Sequence, residues 1–121
     1  MKYLRLYAGE DGESHVEEMH AEFNMAMYAP PAPTFGVSDP TDAKRFVMVH
    51  FPSGWDSELH PAPRRQLFVM LSGQFQGQTS GGMLMDLGPG DAMLMEDTTG
   101  KGHSARTMGG SEVYALMVHL E

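Results

Sequence analysis

The chain contains no cysteine. Disulfides, thiolate nucleophiles and cysteine-held zinc or iron–sulfur centres are therefore excluded, while the redox compartment stays open. Basic side chains are scarce, 8 Lys and Arg against 16 Asp and Glu, for a net charge of −8. A phosphate-neutralising face is not expected on such a surface, so nucleic acid is not expected as a partner. No apolar run approaches the roughly 18 residues that a spanning helix needs. The opening stretch Met1 to Gly12 carries Lys2 and Arg5 but no apolar core of a leader peptide. The expectation is a protein without a membrane partner, located in the cytoplasm. No Ser-His-Asp arrangement, Gly-rich phosphate loop, internal repeat or low-complexity segment is found.

What the chain does have is punctuation. Its 121 residues suit one domain, and its 14 glycines and 8 prolines fall between short apolar runs. That pattern favours strands and turns over a helical bundle. The fold expected is all-β, an antiparallel double-sheet barrel or jelly roll with little or no helix. A single domain over 1–121 would comprise an N-terminal arm and strands (1–44) and a barrel core (45–120).

Lys2 to Tyr7 reads as a short strand whose exposed edge would favour pairing of two copies, so a homodimer is expected. Val16 to Met27 sets Met19, Ala21, Phe23, Met25 and Met27 on one parity, the pattern of a half-buried strand. Tyr28 to Asp42, with Ala29-Pro30-Pro31-Ala32-Pro33, reads as an extended loop because proline lacks the ladder donor. Further strands are expected at Arg45 to Phe51, Trp55 to His60, Gln66 to Leu71, Gln74 to Gln78, Met83 to Leu87, Ala92 to Glu96, His103 to Met108 and Val113 to Leu120. Methionine is abundant, 12 in all. Met83 with Met85, and Met93 with Met95, sit at period two, so each pair would share a strand face as adaptable core or pocket filler.

The chemistry-bearing residues gather in the second half. Gly54 is followed at plus six by His60, at plus eight by Ala62, at plus twelve by Gln66, and then by Gly73; Gly88-Pro89-Gly90-Asp91 follows, then Gly100-Lys101-Gly102-His103. This layout resembles the two signature motifs of the cupin superfamily over roughly Arg45 to Leu120. It departs from the usual first motif in two places, Ala62 for the second histidine and Gln66 for the glutamate. The resemblance implies a divalent metal ion (Zn, Fe, Ni or Mn) held by His60, Gln66 and His103, with a lower affinity than a four-ligand site because a carboxamide brings no charge. It also implies a small metal-binding protein, an enzyme of dioxygenase, isomerase, lyase or cyclase type acting on a small apolar or carbonyl-containing molecule. A non-catalytic small-molecule binder with a degenerate metal site is the alternative.

Other residues compete for roles. His50 and His119 are rival inward-facing ligands, and Glu58, which shares parity with His60, reads as the missing carboxylate, a general base or a surface group. Arg64 and Arg65 follow the proline arm and would anchor a carboxylate-bearing substrate at the rim, or form ordinary ion pairs. Glu96 and Asp97 either orient His103 or form a capped turn. Phe68, Met70, Met93 and Met95 are the expected apolar wall, with Trp55 and Tyr28 over the mouth.

Overall fold

The computed structural model describes residues 1–121 and contains strands without a helix. In chain order the strands are β1 (Lys2–Ala8), β2 (Ser14–His20), β3 (Asn24–Ala26), β4 (Phe35–Val37), β5 (Arg45–Phe51) and β6 (Gln66–Ser72). They continue with β7 (Phe75–Thr79), β8 (Leu84–Leu87), β9 (Ala92–Glu96), β10 (His103–Thr107) and β11 (Val113–His119). Six strands form a large sheet in the order β2-β1-β9-β6-β11-β5, and three form a small one in the order β10-β7-β8. All pairings are antiparallel except that of β1 with β9. The all-β double-sheet expectation holds, with two facing sheets in place of a closed barrel.

Period two explains which residues meet. In β6, Gln66, Phe68 and Met70 are buried while Leu67, Val69 and Leu71 lie on the opposite face. Register then lines up Met93, Phe68 and Met117 as one inward row and Met95, Gln66 and His119 as the next. The small sheet returns Phe75, Met85 and Leu87 toward them, closing the core. The turns work as the glycine and proline spacing indicates: the Gly88 N–H donates to Asp91 Oδ2 at 2.8 Å, pinning the turn between β8 and β9.

Five expectations are corrected. Lys2 to Tyr7 is not an edge, because β1 runs between β2 and β9; the edges of the large sheet are β2 and β5. Val16 to Met27 is not one half-buried strand. It ends at His20, and β3 pairs only with β4 in a separate hairpin, leaving Phe23, Met25 and Met27 exposed. The following proline-rich stretch accordingly includes the short strand β4 within the loop expected there. Trp55 to His60 forms no strand; it touches the small sheet through isolated bridges of Asp56 with Arg106 and His60 with His103, since Pro52 and Pro61 bracket it and deny it a ladder. Met83 precedes β8 and is exposed, so it shares no buried face with Met85.

Candidate functional site

Between the two sheets lies a cavity of about 260 Å3. Its apolar walls come from both layers: Phe51, Phe68 and Met93 from the large sheet, Phe75, Met85 and Leu87 from the small one. Trp55 closes one side, edge-on to Phe51 with ring centroids 4.7 Å apart. The polar groups gather as His60, Arg64, Gln66, His103 and His119.

His60 and His103 are brought together by the backbone. Each donates its N–H to the other's carbonyl at 2.9 Å, the doubly bonded arrangement of directly opposed antiparallel residues, which puts both side chains on one face. Their rings lie 4.7 Å apart. The approach depends on Gly102. Its φ is +74°, and a Cβ built there would stand 2.0 Å from the His60 carbonyl oxygen, so only glycine fits.

Both rings are held at Nδ1. His60 Nδ1 lies 2.8 Å from the Glu58 carbonyl oxygen, and His103 Nδ1 lies 2.6 Å from Asp97 Oδ2. Nε2 is thus the free atom of each imidazole. Asp97 is wholly buried, and its Oδ1 has no hydrogen-bond partner. An imidazole fixed by a buried carboxylate presents Nε2 in a defined orientation, suited to donating or accepting a hydrogen bond or a proton.

Gln66 sits between Met95 and His119 on the inward face. Its amide nitrogen approaches Met95 Sδ at 3.8 Å. His119 lines the cavity, and its Nδ1 is buried without a partner. Burial, together with the positive charges of Arg64 and Arg45, holds its pKa below the usual histidine value.

The other candidates are placed as follows. Trp55, Phe68, Met93 and Met95 line the cavity. Met70 is buried in the core beyond it, because the inward row continues past the cavity floor. Tyr28 does not cover the mouth: it lies in the arm, exposed, tilted against Phe35 with centroids 5.6 Å apart. His50 faces outward, stacked on Tyr114 and 3.2 Å from Glu112 Oε1. Glu58 is exposed and serves through its main-chain oxygen instead of its carboxylate. Arg65 is bound to Glu96 while Arg64 lines the cavity. Phe51, Phe75, Leu87 and Met117 were missed as wall residues; period-two parity with Met85 and His119 was the signal that pointed to the last two.

A divalent ion at this cavity would depend on the donors that line it. Nδ1 anchoring of both histidines is the outer support that a metal-bound imidazole uses. However, nowhere do three or more His, Asp or Glu side chains converge. The donors lining the cavity are the imidazoles of His60, His103 and His119 and the neutral carboxamide of Gln66, a set with no carboxylate to offset a dication. These residues do not fit a tightly held ion.

No protein-family model and no curated protein sequence matches the chain. Among solved structures, it is similar to the cupin domain of Schizosaccharomyces pombe Cnp3, with 13% identity over 98% of this chain and 83% of that one and a TM-score of 0.48. It is also similar to a Salmonella typhimurium LT2 protein described as ethanolamine utilization protein Q, with 15% identity over 98% and 94% of the two chains and a TM-score of 0.47. Likeness at this level carries no inference about activity. The chain's own coordinates show an all-β double sheet in which His60, Gln66 and His103 line one cavity.

Proposed function

We propose that the chain is a cupin-type small-molecule-binding protein whose ligand has an apolar body, held between the sheets, and a polar head met by the free Nε2 atoms of His60 and His103. The observation that carries this reading is the cavity, apolar on its walls and polar at one group of residues, the usual chemistry of a ligand site. Its volume, about 260 Å3, limits the ligand to a small molecule. The Asp97–His103 pair also equips the site to exchange a proton with a bound carbonyl or hydroxyl.

Trp55 is the one tryptophan and lines the cavity, so its fluorescence reports occupancy directly. Titration with small apolar alcohols and acids is expected to change that emission saturably. Ala105→Phe, which fills the cavity from β10, is expected to abolish the change with circular dichroism unaltered. A saturable response that survives Ala105→Phe overturns the reading. Elemental analysis of protein purified without chelator is expected to find metal well below one ion per chain. Stoichiometric metal removed by chelator with a large fall in melting temperature would replace this reading with the metal-dependent one.

A further inference from the structure

We propose that the ligand of this cavity is a small apolar acid bound as its anion, with Arg64 as counter-ion. The proposal rests on the pocket reading above and deepens it. The chain carries 16 acidic side chains against 8 basic ones, yet none of the 17 residues lining the cavity is Asp or Glu. The lining instead includes Arg64 and three of the six histidines. A wall drawn at random from this chain would be acidic; this one is the reverse.

Arg64 is also uncommitted. Arg5 and Arg65 are bound to Glu96, and Lys2 and Lys101 to Glu18 and Glu13. Arg64 takes part in no ion pair and no side-chain hydrogen bond. It is half-buried, and a guanidinium partly withdrawn from water gains most from a carboxylate that can accept two hydrogen bonds. Nearby, the buried and unpartnered Nδ1 of His119 leaves a second polar atom for a ligand to satisfy. The depressed His119 pKa fits the same picture, because Arg64 is one of the charges responsible. The only buried carboxylate near the site, Asp97, stands behind His103 and does not line the cavity. An amine would find no counter-charge here, and a multiply charged phosphate would have to desolvate against phenylalanine and methionine walls.

The test uses two matched series read by Trp55 emission and calorimetry near neutral pH. One is octanoate, octanol and octylamine; the other is 3-phenylpropanoate, 3-phenylpropanol and 3-phenylpropylamine. In at least one series the acid is expected to bind about tenfold or more tighter than the alcohol, and the amine most weakly. Arg64→Ala and Arg64→Gln are expected to weaken the acid by about tenfold and to leave the alcohol within about twofold. Alcohols binding as tightly as acids, or arginine variants that weaken neither, overturn the charge assignment and leave the pocket standing. If none of the six compounds binds, the pocket reading falls and this one with it.

Discussion

The two faces of β6 come from alternate residues of one short strand, and they differ in kind. Inward, Gln66, Phe68 and Met70 are at most 3% exposed; outward, Leu71 is 51% exposed and Leu67 and Val69 are half-buried. Both sets are largely apolar, so composition does not separate them. What separates them is whether a second layer lies opposite. The inward face has the small sheet above it and a polar row, Gln66 with His119, at one end. The outward face has only the root of the arm.

The sharpest test of that contrast truncates one side chain on each face. Met70→Ala is expected to destabilise the fold by about 2–5 kcal/mol, because Met70 is 1% exposed and its removal leaves a cavity. Leu71→Ala is expected to lower stability by about 1 kcal/mol or less at protein concentrations where chains are separate. Urea unfolding of both variants checks this, and equal losses would mean that the faces are equally packed.

Next in size is the backbone that sets the histidine pair. Gly102→Ala is expected to destabilise by about 3 kcal/mol, through its left-handed φ and the collision with the His60 carbonyl. Gly109→Ala, with φ of +63° and open space around its Cβ position, is expected to lose only about 1 kcal/mol. Thermal unfolding of the two variants reads the difference, which isolates the close approach from the dihedral strain.

The smallest effects are pH windows, one for each face. Glu96, on the outward face, is pushed up by burial, but hydrogen bonds from Arg5 and Arg65 outweigh this and hold its pKa below the ordinary 4.5. A depressed carboxylate stabilises the fold fully above 4.5 and loses that contribution as pH falls through the folded value. Glu96→Gln is expected to lower stability at neutral pH and to flatten the acid limb of a stability–pH curve. His119, on the inward face, has a folded pKa below 6.5. As pH drops below 6.5 the unfolded chain takes up a proton that the folded chain refuses, so stability falls with pH across that window. His119→Asn is expected to remove this slope while leaving the Glu96 limb in place.

Much of the fold was legible because turn residues and period-two runs are local signals. The strands from Arg45 to Phe51 and from Gln66 onward lie close to where alternation places them. The arm was misread for the same reason: Phe23, Met25 and Met27 keep the parity of a strand, but alternation does not reveal whether anything packs against it. Tyr28, expected over the mouth, lies in that arm against Phe35 instead. At the site, motif spacing led to His60, Gln66 and His103, while parity offered His50 and His119 alike, and the structure turns only His119 inward. The tie between Asp97 and His103 was only one of two readings of the segment before Thr98, and the empty ion-pairing of Arg64 had no sequence signature.

By itself the sequence determined the class of fold, the turns and the kinds of side chain available for chemistry, because these follow from propensity, alternation and residue type over a few neighbours. Only the tertiary structure decided which polar groups share the cavity, which carboxylate stands behind His103, and that no acid lines the wall. Those facts depend on register between strands far apart in the chain, and a shift of one residue would send every one of these side chains to the opposite face.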